Sequence, residues 1–396
     1  MKIAVIGGGP SGLYFALLAK TAFPDAAIEV LEQNPRGATY GFGIVLADRG
    51  LTRLERAHPE SCAQILAATY ATRHQLIAHR DEKVFVERKG YGGAIARLRL
   101  LEILEEACAK VGICVQHSQR IDDLSAFAQH DLVVGADGVN SIVRRAQEAA
   151  FGTSCWHLTN RMAWYGTTRH FPYPILSFKT TAHGHFWCAA YPYTETMSTF
   201  VAECDADAWQ RSGLAQMNEA EAQAYAENLF ADELQGHRLI ANKSEWRCLP
   251  VIRNQRWFVG HHVLIGDALH SAHPTIGSGT RIAMEDAIDL AEALRESGGD
   301  VPAALETFER VRKPSKQKLV DAAEKSFTWY EDVAQKMDAL APAPFVFDFM
   351  TRTGRISEAR LRDEFPRFMR RYDAQWSAFK ASDRGGALLR ERGIIS

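Results

Sequence analysis

The sequence predicts an α/β (α+β) fold in which a parallel, helix-flanked domain is interleaved with a mixed or antiparallel sheet and followed by C-terminal helices. A strand, a glycine-rich turn and an Ala/Leu-rich helix run from Lys2 to Lys20, which is the start of a parallel α/β unit. Between about residues 155 and 255, aromatic and threonine-rich stretches alternate, which predicts antiparallel strands with one buried face. From Pro302 the spacing of apolar residues is helical.

The N-terminal turn has the spacing Gly7-x-Gly9-x-x-Gly12, and a second strand ending at Glu32 follows its helix. In a Rossmann-like domain such glycines permit a tight turn and bring a pyrophosphate close to the helix N-terminus, while the acid accepts hydrogen bonds from ribose hydroxyls. Strand, helix and acid occur in the required order, which favours this interpretation over an ordinary glycine-rich turn. The predicted nucleotide contacts are Gly7, Gly9, Ser11, Gly12 and Glu32.

Two later strands also run into acidic turns. One buried-type strand leads into Asp137-Gly138, and the run from Val263 to Ile265 leads into Gly266-Asp267. A carboxylate at the second turn is placed to accept hydrogen bonds from a ribityl chain. Together with the N-terminal turn, these segments indicate a flavin nucleotide, and we predict contacts from Asp137, Gly266 and Asp267.

A glycine pair and a helix follow the last of these turns. Gly277 and Gly279 lack a Cβ, which lets the backbone approach a flat ring closely. From Thr280 onward apolar residues recur at helical spacing, so the helix start aims its free N–H groups at the cofactor. We therefore predict flavin contacts from Gly277, Gly279 and Thr280.

In this order the three segments resemble the single-component flavoprotein aromatic hydroxylases of the p-hydroxybenzoate hydroxylase type. Stretches that begin at Asn160, Thr196, Gly277 and Ser326 look like the branch that contains salicylyl-CoA 5-hydroxylase, 2-aminobenzoyl-CoA monooxygenase and the violacein-pathway tryptophan-derivative hydroxylase. The resemblance covers nearly the whole chain. It implies bound FAD, NADH or NADPH as co-substrate, O2, and an arginine that opens a helix facing the cofactor, which is Arg97 here.

The chemistry of that family requires a substrate with an electron-rich aromatic ring. Reduced flavin reacts with O2 to give a flavin hydroperoxide whose distal oxygen is electrophilic, so the accepting ring must be electron-rich. The segment from Thr351 to Ser357 resembles the members that act on CoA thioesters. We therefore expect an FAD-dependent monooxygenase that hydroxylates an aryl-CoA thioester such as salicylyl-CoA or 2-aminobenzoyl-CoA.

Other functions stay open to different degrees. A hydroxylase of a free indole or tryptophan-derived molecule is the main alternative. A flavin-binding protein without turnover is disfavoured because the phosphate, ribose and ribityl motifs are all intact. A halogenase is disfavoured because the chain has no Trp-x-Trp-x-Ile-Pro segment.

Residues on the substrate side are less clearly marked. The resemblance places His273 in the loop against the flavin edge, as a catalytic residue or, alternatively, a structural one. Tyr165 and Tyr191 lie on strands that are predicted to cover the substrate chamber. Aromatic residues on strands with an alternating pattern, however, often serve only as core packing. Glu203 is either a buried acid or a solvated residue of a strand edge, and the sequence does not distinguish the two.

The C-terminal region is rich in arginine. A solvated, salt-bridged helical face is the simple interpretation. Because guanidinium groups pair bidentately with phosphate, the alternative is that some of these arginines hold the phosphates of a CoA substrate. We predict this role for Arg352 and Arg355.

Composition excludes several classes of protein. Of 396 residues, 46% are hydrophobic and 24% charged, and the net charge of −2 gives no basis for a nucleic-acid partner. The N-terminus lacks the basic lead of a signal peptide, and no apolar stretch of about 18 residues predicts a membrane span. Seven cysteines without a C-x-x-C pair favour reduced thiols in the cytoplasm. Histidine pairs such as His183 and His185 lack acidic or thiolate partners at ligand spacing, so no metal site is predicted.

The predicted parts of the chain are discontinuous. Residues 1–75, 94–155 and 257–300 form the FAD-binding domain, residues 76–93 and 156–256 the substrate-binding sheet domain, and residues 301–396 a C-terminal helical region. No motif indicates the ring position hydroxylated, the choice between NADH and NADPH, or the oligomeric state.

Overall fold

The computed structural model describes residues 1–47, 51–271 and 274–395. Within these ranges the strands are β1 (Lys2–Ile6), β2 (Ala27–Leu31), β3 (Gly43–Ala47), β4 (Tyr70–His79), β5 (Glu82–Ala96), β6 (Val115–Gln116), β7 (Leu132–Gly135), β8 (Thr153–His157), β9 (Arg161–Thr167), β10 (Ile175–Thr181), β11 (Gly184–Pro192), β12 (Ser198–Cys204), β13 (Leu239–Ile240), β14 (Pro250–Asn254), β15 (Phe258–Val259) and β16 (His262–Leu264). The α-helices are α1 (Pro10–Ala22), α2 (Leu51–Ala57), α3 (Pro59–Ala67), α4 (Arg97–Lys110), α5 (Ile142–Ala146), α6 (Glu148–Phe151), α7 (Ala206–Arg211), α8 (Glu219–Leu229), α9 (Ala231–Leu234), α10 (Gly279–Glu296), α11 (Val301–Glu331), α12 (Val333–Ala339), α13 (Pro342–Thr351), α14 (Glu358–Glu364), α15 (Pro366–Arg371), α16 (Asp373–Ala381) and α17 (Asp383–Glu391).

A six-stranded sheet with the order β15-β16-β7-β1-β2-β6 forms the first layer. Its strands β1, β2, β6, β7 and β16 pair in parallel, and only β15 is antiparallel to its neighbour. The strands read as continuous apolar runs because they are buried in a core in which α1 packs on β1 and β2, and α4 and α10 pack against α1. The carboxyl ends of β1, β7 and β16 lie side by side, so the three motif turns that follow them meet at one edge of the sheet.

An eight-stranded sheet with the order β13-β9-β12-β11-β10-β4-β5-β3 forms the second layer. Strands β9, β12, β11 and β10 are antiparallel neighbours, and β4 joins β10 in parallel. Successive side chains of each strand point to opposite faces. On β12, Phe200 and Ala202 lie in a core with α8, whereas Val201 and Glu203 line a cavity on the other face.

The C-terminal helices cover that other face of the larger sheet. Trp329, Phe345 and Trp376 form an aromatic core with Trp187 of β11 and with Ile77 of β4. Helix α11 begins at an Asp300 cap whose side chain accepts a hydrogen bond from the Ala303 N–H. The larger sheet is thus buried between α8 on one side and α11, α13 and α16 on the other.

The predicted fold class is confirmed, with a parallel α/β layer, a mixed larger sheet and a helical C-terminal region. Helix α4 begins at Arg97, directly after residues 94–96, which end strand β5. The division into three parts stays a prediction. Residues 1–75 were predicted to belong to the FAD-binding part, but β3 and β4, which lie wholly or partly in this range, pair within the larger sheet. In the described ranges no helix has both the length and the apolar character needed to cross a membrane.

Candidate active site

A cavity of about 1010 Å³ extends from the motif turns of the smaller sheet to the covered face of the larger one. This volume is at the upper end of the range for small-molecule sites. We distinguish three regions in its lining. The nucleotide end is lined by the motif turns and residues 119–122, the chamber by Met162, Trp164, Val201, Glu203, Tyr330 and Phe349, and the rim by Tyr70, Thr72, His74, Arg88 and Ile356. The rim residues are half-buried or exposed, so the cavity opens to solvent there.

The N-terminal turn is a close-packed backbone cradle. Gly7 has φ +112, and a Cβ added to it lies only 2.4 Å from the Ala136 carbonyl oxygen. A Cβ on Gly12 lies 2.0 Å from the carbonyl oxygen of Gly7, so α1 packs directly on the turn. Gly9 differs, since its added Cβ meets nothing closer than 4.0 Å and Gly9 itself lines the cavity together with Ser11. The turn therefore presents bare backbone and the N-terminus of α1 to the nucleotide end.

Two acidic residues flank this cradle. Glu32 accepts hydrogen bonds from the Gly8 N–H at 2.8 Å and from the Asn34 N–H at 2.8 Å, which fixes its carboxylate at the cavity wall. Asp137 accepts one from the Ile142 N–H at 2.6 Å, and its other oxygen is buried without a partner among the described residues. Burial raises the pKa of Asp137. Each carboxylate keeps lone pairs with which to accept further hydrogen bonds from a ligand.

Arg97 stands between the nucleotide end and the chamber. It is the first residue of α4, and its Nε donates to Thr39 Oγ1 at 2.9 Å. Burial lowers the pKa of Arg97, and the nearby carboxylates of Asp267 and Glu32 oppose that shift. The guanidinium supplies a positive charge to the cavity that Arg97 lines.

The turn after β16 is hydrogen-bonded to a buried cluster of charged side chains. Gly266 has φ +62, and its N–H donates to Asp286 Oδ2 at 3.0 Å. Asp286 is fully buried and also accepts from Arg312 Nε at 3.0 Å and from the Lys316 ammonium. These contacts fix the turn that presents Asp267 to the cavity.

The start of α10 completes the middle of the cavity. Gly277 has φ +63, a left-handed conformation that favours glycine. Gly279 and Thr280 open α10, and all three residues line the cavity. The positive end of an 18-residue helix thus faces the same space as Arg97.

These features fit FAD on observations of the chain itself. The glycine cradle leaves the cavity beside Gly9 open, which suits a pyrophosphate. Acceptors for hydroxyl groups lie at Glu32, Asp137 and Asp267, and the helix start at Gly279 together with Arg97 is suited to the negative charge of a reduced isoalloxazine ring.

Comparison with known proteins agrees with this site. The FAD binding domain family matches residues 113–323, more than half of the chain. Salicyloyl-CoA 5-hydroxylase of Streptomyces sp is 34% identical over 389 residues, which cover 95% of this chain and 74% of that protein. The chain belongs to the FAD-dependent aromatic hydroxylases. FAD is its cofactor, and NADH or NADPH its electron donor.

Two other relatives have the same sequence identity to this hydroxylase. A 3-hydroxy-4-methyl-anthranilyl-(aryl-carrier protein) 5-monooxygenase of Streptosporangium sibiricum is 34% identical and covers 92% of this chain and 97% of its own length. Protodeoxyviolaceinate monooxygenase of Chromobacterium violaceum is also 34% identical, with 89% and 94% covered. The solved structure of 2-methyl-3-hydroxypyridine-5-carboxylic acid oxygenase shares the fold, with a TM-score of 0.68 at 18% identity over 89% of this chain and 95% of its own.

The structure brings most predicted cofactor residues of the hydroxylase to the cavity. The lining contains Gly7, Gly9, Ser11, Glu32, Arg97, Asp137, Asp267, Gly277, Gly279 and Thr280. Gly12 and Gly266 lie directly behind it, Gly12 against Gly7 and Gly266 against Ser11. Their individual contacts with FAD stay predictions. His273 lies outside the described residues.

The two tyrosines of the predicted roof face opposite sides of the sheet. Tyr191 lines the cavity, and its hydroxyl donates to the Gly43 carbonyl at 2.9 Å, which braces the strand beside the chamber. Tyr165 is fully buried in the core shared with α8, and its neighbour Trp164 is the residue that reaches the chamber. This placement argues against a substrate contact from Tyr165.

The two predicted phosphate-binding arginines also differ. Arg352 lines the cavity, with its guanidinium donating to the Thr275 carbonyl at 2.8 Å, to Ser326 Oγ at 3.0 Å and to the Phe349 carbonyl at 2.9 Å. It therefore holds the 274–276 turn against α11 and α13. Arg355 is exposed and stands next to Ile356 of the rim.

Several residues of the chamber were not identified from the sequence. Trp164, Tyr330 and Phe349 form its walls, and Glu203 provides a carboxyl group. Trp164 and Tyr330 lie in the stretches that begin at Asn160 and Ser326, and the resemblance of these stretches to the family was the available signal. Strand alternation alone did not show which face of the sheet turns toward the cavity.

Proposed function

We propose that this enzyme hydroxylates an electron-rich aromatic ring carried as a CoA thioester, such as salicyloyl-CoA or 2-aminobenzoyl-CoA. The observation that carries the proposal is the continuity of the cavity from the chamber to the solvent-open rim. A ring in the chamber can remain attached to a long pantetheine arm that leaves through the rim. Two relatives at 34% identity are named for aryl thioesters, one of CoA and one of a carrier protein.

The chain's own residues bind, orient and dehydrate the reactants. The cradle at Gly9 and the α1 N-terminus hold the pyrophosphate, while Arg97 and the α10 N-terminus place positive potential at the middle of the cavity. Trp164, Val201 and Phe349 exclude water from the ring. FAD, when bound, would activate O2, one atom of which enters the ring.

A free indole or tryptophan-derived substrate is the second candidate. It is favoured by the 34% identity to protodeoxyviolaceinate monooxygenase, which covers most of both chains. Such a molecule needs only the chamber and leaves the rim without a role.

One experiment separates the two substrates. The purified yellow holoenzyme is given NADH, O2 and either salicyloyl-CoA, free salicylate or an indole, and hydroxylated product is measured together with NADH oxidation. We expect kcat/KM for the thioester to exceed that for the free acid by at least about tenfold, because each lost charge-assisted contact of the arm costs about 1.5–3 kcal/mol. Equal values for acid and thioester, or turnover of the indole alone, contradict the proposal.

Arg355 tests where the phosphates bind. Replacing this exposed rim arginine in Arg355→Ala is expected to raise KM for salicyloyl-CoA by roughly tenfold, the loss of one arginine–phosphate contact. Flavin content and kcat should stay as in wild type, because Arg355 lines no part of the cavity. The matched control is Arg310→Ala, since Arg310 is exposed on α11 away from the cavity lining. An unchanged KM in Arg355→Ala removes this residue from the binding site.

A further inference from the structure

Three stretches that are far apart in the chain meet at one end of the chamber. Glu203 of β12 lies opposite Met162 of β9 and Trp187 of β11 in the sheet register. Tyr330, near the end of α11, packs against Trp187 with 6.0 Å between ring centroids. Behind Glu203 is a small void of about 10 Å³, also lined by Asn160, Arg161 and Glu331. Glu203 is therefore shared by the chamber on one side and the void on the other.

We propose that Glu203 is the catalytic residue that accepts the proton of the substrate's ring hydroxyl, and that the void behind it links its carboxyl to the protein surface. This inference rests on the proposed function in needing a hydroxylated aromatic ring as substrate. It assigns a role to a residue whose position the strand pattern left undecided.

The cavity lining supports this assignment by the distribution of its carboxyl groups. Among the described residues, Glu32, Asp122, Asp137 and Asp267 lie at the nucleotide end or on the turns that follow the parallel strands. Glu203 is the carboxyl on the face of the larger sheet, between Met162 and Val201 and below Tyr330. A substrate ring bound in the chamber therefore lies against a wall that includes the Glu203 carboxyl group.

The surroundings of Glu203 suit proton exchange near neutral pH. Burial raises the pKa of the Glu203 carboxyl to about 8, and the Trp187 indole beside it opposes the shift without reaching hydrogen-bond geometry. Glu203 is half-buried, and its side chain lines the cavity. A general base is most effective when its pKa lies near the working pH. The titratable or charged groups on the elements packed around it are Arg161, Cys188, Tyr191, Cys204, Tyr330, Glu331 and Arg352.

The proposed step is a proton transfer that leaves the charge of the chamber unchanged. The O–H bond of the phenol breaks, the proton joins the Glu203 carboxylate, and the electron pair remains on the phenol oxygen. One negative charge is exchanged for another, so no new charge is created in an apolar space. The phenolate releases electron density into the positions ortho and para to it, which is what an electrophilic oxygen requires.

The void gives the proton a route out of the chamber. Its volume is close to the minimum that holds one water molecule. Asn160 supplies a buried Oδ1 that has no hydrogen-bond partner among the described residues, and its Nδ2 donates to the Tyr330 carbonyl at 2.8 Å. Glu331, at the far side, accepts from the exposed Thr159 N–H at 2.8 Å. A water between Glu203 and Asn160 therefore leads toward the surface.

The test compares wild type with Glu203→Gln, which keeps the shape of the side chain and removes its charge. Salicyloyl-CoA is added to the oxidised holoenzyme, and the near-ultraviolet absorbance of bound phenol and phenolate is followed with pH. In wild type we expect phenolate to form in two phases, the first near pH 8, where the Glu203 carboxyl loses its proton and can take that of the phenol. In Glu203→Gln the first phase should be lost, so that phenolate forms in one step with a shifted midpoint. Glu82→Gln, at an exposed position of β5, is the matched control and should behave as wild type.

Kinetics give a second readout with a defined sign. The carboxylate is the active form, so kcat/KM of wild type should rise as pH increases through about 8. In Glu203→Gln this rise should be lost and kcat/KM for salicyloyl-CoA should fall by roughly 10²-fold, the lower end of the effect of a general base. For 2-aminobenzoyl-CoA the fall should be much smaller, because a ring amine does not ionise and the glutamine carbonyl can still accept its N–H.

The outcomes separate the two proposals. A Glu203→Gln enzyme with the wild-type phenolate midpoint and pH profile overturns the role of Glu203, as does an equal loss for both thioesters accompanied by lost flavin. A wild-type enzyme that binds neither thioester overturns the thioester substrate alone. The same two enzymes are then compared with the hydroxyarene that stimulates NADH oxidation, and an identical pH profile overturns the role of Glu203 there as well.

Discussion

Gly9→Val is expected to give a folded but colourless protein. The backbone at Gly9 is extended, with φ −76 and ψ 177, which valine adopts without strain. An added Cβ makes only an ordinary contact, 4.0 Å from the Ala136 carbonyl oxygen. The side chain extends instead into the cavity that Gly9 lines, where the pyrophosphate is expected. Flavin content should fall from near one per chain to near zero, while the apoprotein loses about 1 kcal/mol or less.

The matched comparison is Gly12→Ala, three residues along the same turn. Its Cβ lies 2.0 Å from the Gly7 carbonyl oxygen, so α1 has to move away from the turn. We expect a destabilisation of several kcal/mol, beyond the usual range of roughly 1–3 kcal/mol for overpacking. Flavin absorbance per chain and circular dichroism melting of the apoproteins measure the two effects separately. A Gly9→Val protein that is yellow at wild-type stoichiometry shows that the pyrophosphate lies elsewhere.

Asp286→Ala is expected to cause a large loss of stability. Asp286 is fully buried and pairs with Arg312 Nε at 3.0 Å and with the Lys316 ammonium. Removing the carboxylate leaves the buried Lys316 ammonium without the carboxylate that it pairs with, which typically costs about 3–5 kcal/mol. The Gly266 N–H also loses its acceptor, so the turn that carries Asp267 is released and FAD affinity should fall.

The control is an ion pair at the surface. Arg99 and Glu102 on α4 form a salt bridge at 3.1 Å, but both side chains are more than two-fifths exposed, so Glu102→Ala should cost about 0–1 kcal/mol. Urea unfolding of the apoproteins gives the free energy of unfolding, and flavin fluorescence gives the affinity for FAD. Equal stability losses in the two variants refute the structural role of the Asp286 cluster. Asp286→Asn keeps an acceptor for Gly266 and should retain more FAD affinity than Asp286→Ala.

The FAD-binding half of the site was predictable because its parts are local in the sequence. A glycine such as Gly7, with φ +112, is required by backbone geometry that a few neighbouring residues define. The acids Glu32, Asp137 and Asp267 come just after strands, and parallel strands bring their carboxyl ends to one edge. Strand, turn and helix therefore specified both the fold class and the cofactor.

The substrate half depended on contacts between distant segments. Alternation on β9 correctly separates Trp164 from Tyr165, but only the packing of α8 on one face and α11 on the other decides which of them reaches the chamber. The sequence predicts a phosphate contact for Arg352, but only the tertiary structure shows that its guanidinium donates to the Thr275 carbonyl beside the cavity. Glu203 becomes a candidate base only because Asn160 and Tyr330, from far along the chain, enclose it. Composition and spacing determined the cofactor site, while burial, charge and access to the ring were decided by tertiary packing.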